Sequence, residues 1–140
     1  MAAVASFGRR PEDTDGISVF AVKDEAEVAL VVAALACTKR EIGPVDLLRL
    51  EDDEVTRSGV VTDCAGNTAV LSANPLHRVL NWPPEKLAEL VSHLLAMKRR
   101  STRHNPAAVV AALLTLTPAD VEAGAAREWL AKIRLEKTKS

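Results

Sequence analysis

Aromatic residues are scarce in this chain. Its 140 residues include two Phe, two Trp and no Tyr. Aromatic rings provide the stacking platforms of single-stranded nucleic-acid binders and much of the packed area of many cores. A core with so few rings must be built from Leu, Val and the 23 alanines. Because Ala has the highest intrinsic helix propensity, this composition favours helices.

Cysteine and long apolar runs are also scarce. Cys37 and Cys64 are the two cysteines, too few for a disulfide framework, and no secretory signal precedes them. We therefore expect a reducing compartment and predict a cytoplasmic protein. The longest apolar run, residues 28–37, is far shorter than the roughly 20 residues that span a bilayer. No membrane crossing is predicted.

Patterns of catalytic or metal-ligating residues are absent from the sequence. Cys64, His77, His93 and His104 lack the short separations of a structural zinc site. The acidic run at 51–54 lacks the ligand spacing of a calcium loop and is typical of a solvated turn. The six glycines are scattered singly, so no phosphate-binding loop is indicated. We predict no enzymatic activity, no cofactor and no metal.

Length and composition predict a single globular domain. Apolar residues make up 48% of the chain and charged residues 26%, close to the averages of soluble domains. The small residues and arginines at the start, before any strand or helix pattern, predict a flexible N-terminal tail at 1–16. The globular domain is expected at 17–136 and a frayed C-terminus at 137–140.

The sequence pattern in the first half of this domain predicts a strand followed by a buried helix. Residues 17–22 alternate β-branched and aromatic residues, which is typical of a strand. Asp24 can cap the following helix with Glu27 as its capping-box partner. Since residues 28–37 are apolar on nearly every side, this helix is expected at the centre of the domain.

The middle of the chain is less regular. Residues 44–50 fit either a short helix that starts at Pro44 or a strand, and one turn of periodicity does not decide between them. Residues 59–73 predict a β-hairpin, because two β-rich runs flank Ala65, Gly66 and Asn67.

The second half predicts helices. Pro84 can open an amphipathic helix with a leucine stripe, and Asn105-Pro106 and Thr117-Pro118 each provide a cap followed by proline. The fold class expected is therefore α+β: a mostly helical single domain with a small antiparallel sheet, a hairpin near 59–73 and a helical C-terminal half.

The segment 97–106, "MKRRSTRHNP", concentrates positive charge in a chain whose net charge is -1. Cations in the last turn of a helix are favoured by the helix dipole, so a helix end followed by a solvated loop is the preferred interpretation. The alternative is a contact with nucleic acid or another polyanion. The residues that would make this contact are Lys98, Arg99, Arg100, Arg103 and His104.

Two nearly all-apolar helices and a conspicuous Trp129 are more easily covered in a complex than in a lone domain of this size. Val121, Ala125, Trp129 and Ile133 recur at four-residue steps on the last predicted helix and are the predicted protein interface. The expected function is a non-enzymatic interaction module, such as an adaptor, assembly factor or regulatory subunit, with a protein partner or as a homo-oligomer. The alternative is a DNA-binding accessory protein or transcriptional regulator that uses residues 98–104.

Overall fold

Six strands and three α-helices make up the described part of the chain. A computed structural model describes residues 2–5, 17–51, 60–63, 66–81 and 101–139. The strands are β1 (Ala2–Ala5), β2 (Ile17–Val22), β3 (Val45–Glu51), β4 (Val60–Asp63), β5 (His77–Asn81) and β6 (Ser101–His104). The helices are α1 (Glu25–Cys37), α2 (Pro106–Leu114) and α3 (Ala125–Lys139). The predicted α+β class with a helical C-terminal half is confirmed.

All six strands belong to one antiparallel sheet. Their order is β4-β5-β2-β1-β3-β6. The strand predicted at 17–22 is confirmed, and residues 45–51 form a strand, which decides between the two interpretations of that segment. The predicted helix that begins at Pro84 lies outside the described residues.

Strand β1 corrects the expected N-terminal tail at residues 2–5. These residues pair with β2 on one side and with β3 on the other. Their small side chains and single valine provide no long alternating pattern, so the sequence alone did not indicate a strand here. The remainder of the predicted tail lies outside the described residues.

The predicted hairpin at 59–73 is formed only in part. Strand β4 falls within its first run, but β4 pairs with β5 and not with residues 68–73. Gly66 lacks the positive φ of a tight hairpin loop, since Gly124 alone among the described residues has one. Between the strands, the backbone N–H of Gly66 donates to the Asn74 carbonyl at 3.0 Å. The connection is therefore a structured loop and not a tight turn.

Helix α1 begins at the predicted cap. The Asp24 carboxylate accepts from the backbone N–H of Glu27 at 2.9 Å, and the Glu27 carboxylate accepts from the backbone N–H of Lys23 at 2.9 Å. At the other end, the ammonium group of Lys132 donates to the carbonyls of Ala36 and Cys37, each at 3.1 Å. Lys132 thus satisfies carbonyl groups that a helix leaves unpaired at its C-terminus.

The core surrounds helix α1. One side of α1 packs on β2 and β3, and the other sides pack on α2 and α3. Six residues of α1 are buried, and Phe20 is the one aromatic residue among the buried residues described. The central position predicted for this helix is confirmed.

A pair of loops is joined at Asp120. The Asp120 carboxylate accepts from the Ser72 hydroxyl and from the backbone N–H and hydroxyl of Thr117, the last two at 2.8 and 3.0 Å. Next to this contact, Val70 and Val121 form an isolated antiparallel bridge. The cap predicted at Thr117 is therefore present as a capping box, but it opens the short 3-10 helix Pro118–Asp120.

The last α-helix starts later than predicted. Gly124, with a φ of 96°, adopts the left-handed conformation that favours glycine, and α3 begins at the next residue. It continues to Lys139, so residues 137–139 belong to the helix and not to a frayed terminus.

Two adjacent leucines at the end of α2 allow a matched test of this core. Leu113 is fully buried, whereas Leu114 is 57% exposed. Leu113→Ala is expected to lower the free energy of unfolding by about 2–5 kcal/mol, because it leaves a cavity in the buried core. Leu114→Ala is expected to change it by less than about 0.5 kcal/mol. Urea denaturation of both variants measures the difference, and equal losses would contradict the placement of α2.

The Asp120 contact predicts a pH dependence of stability. Hydrogen bonds from the Ser72 hydroxyl and the Thr117 backbone lower the pKa of Asp120 below its ordinary value of 3.8. The lowered pKa stabilises the fold fully at pH values above 3.8, and the stabilisation is lost as the pH falls through the folded-state pKa. The stability advantage of the native protein over Asp120→Asn should therefore shrink below about pH 4 in urea titrations. Glu122→Gln, which removes an exposed carboxylate two residues away, is the matched control.

Candidate interaction surface

The predicted basic stretch is described only at its end. Lys98, Arg99 and Arg100 lie outside the described residues. Arg103 and His104 belong to β6, so the loop predicted for them is wrong. Because the cross-strand pairing of β6 with β3 brings together residues far apart in the sequence, the local pattern did not predict this strand.

Arg103 is paired with a carboxylate on the neighbouring strand. Asp46 lies directly opposite Arg103 in the register of β3 and β6. The guanidinium donates through Nε to Asp46 Oδ1 at 2.9 Å and through Nη2 to Oδ2 at 3.1 Å. This is the bidentate geometry in which arginine binds carboxylates most specifically.

The electrostatics of this pair agree with the geometry. The hydrogen bond from Arg103 lowers the pKa of Asp46, and the charges of Arg103, Lys39 and His104 act in the same direction. The Asp46 carboxylate in turn raises the pKa of Arg103. Both side chains are exposed to solvent, so the pair is a surface contact of small net energy. Its consequence is that Asp46 partly compensates the charge of Arg103.

The four residues predicted as a protein interface point mainly into the core. Val121, Ala125 and Ile133 are buried, and Trp129 is half-buried against the core. Val121 also lies outside α3, in the bridge to Val70. The four-residue spacing therefore marks the side of α3 that covers the domain and not a free surface. Periodicity identifies an apolar stripe but does not tell whether the chain itself or a partner covers it.

The polar atom of Trp129 is enclosed in this contact. Its Nε1 is buried and has no hydrogen-bond partner within the described residues. A buried indole N–H usually has a partner. The contribution of Trp129 to the core therefore comes from the packing of its ring and not from a hydrogen bond within the described residues.

The solvent side of α3 carries leucines and cations together. Leu130 and Leu135 are each 42% exposed, and Arg127 and Arg134 are exposed between them around the helix. Lys137 is exposed in the last turns. We call these five residues the outer face of α3. Arg127 and Arg134 are seven residues apart, and Lys137 follows three residues later. The sequence contains this spacing, but the apolar stripe is the stronger pattern of this helix.

The charge of this region is mostly positive. Arg127, Arg134 and Lys137 are accompanied on the exposed side by one acid, Glu128. No ion pair of Arg127 or Arg134 is formed within the part of the chain that the structure describes. Two cations are therefore open to carboxylates or phosphates of a partner.

The nucleophilic and metal-ligating side chains that the structure describes do not assemble into a site. Burial raises the pKa of the half-buried Cys37 thiol, which the charge of Lys132 partly opposes and that of Glu128 increases. A raised pKa lowers the reactive thiolate fraction. His77 packs edge-on against Phe20, with ring centroids 5.3 Å apart. Within the described ranges, no cluster of three His, Cys, Asp or Glu residues could hold a metal ion. Cys64, His93 and residues 52–54 lie outside these ranges.

No protein-family model, curated protein or solved structure matches this chain. Among the helices described, none has the length and hydropathy needed to cross a bilayer.

The pair of Arg103 with Asp46 predicts how substitution of either residue changes the binding of duplex DNA. Arg103→Gln is expected to leave the salt dependence of any DNA binding unchanged, because Asp46 already compensates the guanidinium charge. A phosphate contact by Arg103 would instead reduce the log-log salt slope by about 0.9. Fluorescence anisotropy at several salt concentrations distinguishes the two outcomes. Asp46→Asn, which frees the guanidinium, is the matched variant and should strengthen binding.

Proposed function

We propose that this protein is a non-enzymatic interaction module that binds another protein through the outer face of α3. The observation that carries the proposal is the exposure of Leu130 and Leu135, each 42%, on a helix whose opposite side is fixed to the core. A helix held in this way presents its exposed side chains without further ordering, which reduces the entropic cost of binding.

The proposed surface differs from the one expected from the sequence. The core already covers Val121, Ala125 and Ile133. The proposed interface therefore consists of the exposed residues on the outer face of α3. The protein partner remains the proposed ligand. An adaptor, assembly factor or regulatory subunit would each use such a surface, and the cytoplasm remains the proposed compartment.

A nucleic-acid-binding function has less support. Arg103, one of the residues predicted to contact nucleic acid, is paired with Asp46. The other three predicted cations, Lys98, Arg99 and Arg100, lie outside the described residues. The outer face of α3 also lacks aromatic side chains on which bases could stack.

The proposal predicts that the exposed leucines of α3 are needed for complex formation. The double substitution Leu130→Gln and Leu135→Gln should abolish retention of proteins from the native source by the immobilised chain, as measured by quantitative mass spectrometry. The control is Leu71→Gln with Leu114→Gln, because these leucines are 43% and 57% exposed but lie outside α3. Equal retention by both double variants would contradict the proposal.

Sedimentation distinguishes a partner from a second copy. Self-association through this face would be lost in the Leu130 and Leu135 variant and kept in the control. Thermal unfolding of each variant should remain nearly native, because exposed substitutions change stability by less than about 0.5 kcal/mol. A monomer that retains no protein in either form would rule out the interaction module.

A further inference from the structure

We propose that the outer face of α3 binds an acidic, amphipathic segment of a partner protein. This inference rests on the proposed function and adds the chemistry of the partner. It is carried by the combination of exposed leucines and exposed cations on one side of a helix that is fixed to the core.

The geometry places the cations in line. Arg127 and Arg134 are seven residues apart, which is two helical turns, so they project from the same side about 10 Å apart along the axis. Lys137 lies off this row, seven residues after Leu130 and on the same flank as that leucine. Carboxylates on a helix or an extended chain can be spaced to meet cations at this distance.

The leucines lie on both sides of this row. Leu130 is four residues before Arg134 and lies on the flank next to the buried Ile133, whereas Leu135 lies on the other flank with Glu128. Since each leucine is 42% exposed, a partner that covers them gains apolar burial at about 25 cal/mol per Å² before the costs of binding. The partner must therefore offer apolar side chains beside its acidic ones.

The charge selects the acidic partner over the other candidates. Guanidinium groups bind carboxylates with two parallel hydrogen bonds, and Arg127 and Arg134 have no such partner within the described chain. A symmetric contact between two copies of α3 would place its excess positive charge against the same charge of the copy. Duplex DNA would satisfy the cations but would leave the leucines without apolar partners.

The test uses defined peptides. A labelled amphipathic peptide built from leucine and glutamate is compared with the same peptide in which every glutamate is glutamine. Fluorescence anisotropy with the full chain should show tighter binding of the glutamate peptide, with affinity that falls as salt rises. No binding of the glutamate peptide, or equal binding of both, would overturn the inference.

Two variants with the same charge locate the contact. Arg127→Gln with Arg134→Gln should weaken binding of the glutamate peptide by about tenfold or more, as expected when charge pairs are removed from an interface. Lys23→Gln with Arg40→Gln also removes two positive charges but leaves α3 unchanged, and it should bind nearly as the native chain does. Equal weakening in both double variants would mean that net charge alone attracts the peptide, which also overturns the inference.

The outcomes separate this inference from the function on which it rests. Equal binding of both peptides that depends on Leu130 and Leu135 would preserve the interaction module and reject the acidic partner. Loss of dependence on both the leucines and the arginines would reject both. Duplex DNA and vesicles with phosphatidylserine serve as the other polyanions, and stronger binding of either one through Arg127 and Arg134 would replace the acidic segment as the ligand.

Discussion

The burial of helix α1 is the constraint on which the remaining structure depends. Residues 28–37 offer apolar side chains in every direction, so no side of this helix can face water without loss of hydrophobic stabilisation. The sheet covers it through β2 and β3, and α2 and α3 cover it from the other directions. The two C-terminal helices are therefore needed to complete the surroundings of the first one.

Helix α3 has two different sides because of this arrangement. Its inner side contributes Ala125 and Ile133 to the core, and Lys132 reaches the last carbonyls of α1. The contact fixes the orientation of α3 between Ala125 and Ile133. Its solvent side is thereby presented in one orientation, which is the condition for recognition by a rigid surface.

Local features of the structure could be predicted from the sequence. Asp24 and Asn105 cap the helices that follow them, because a cap depends on residues three positions apart. Thr117 was also identified as a cap, but the bridge between Val70 and Val121 and the left-handed Gly124 delay the helix. These tertiary and backbone constraints are not visible in a helical pattern.

The parts that were not predicted depend on distant residues. The pair of Asp46 and Arg103 joins positions 57 residues apart, so a basic stretch that looks free in the sequence is partly neutralised in the fold. The prediction of the protein interface also depended on contacts between residues far apart in the sequence. Val121, Ala125, Trp129 and Ile133 have the spacing of an apolar stripe, and only the positions of α1 and α2 decide that the domain itself covers it.

The order of strands in the sheet also bears on how fast the chain can fold. Sheet pairing between β3 and β6 and the contact of Ser72 with Asp120, 48 residues apart, both require long loops to close before any stabilisation is gained. Helix formation takes about a microsecond or less, whereas folding rates fall as the average separation of contacting residues rises. Helix α1 can thus form early, but its apolar surface stays exposed until the C-terminal third of the chain has docked. Exposed apolar surface during that interval favours aggregation.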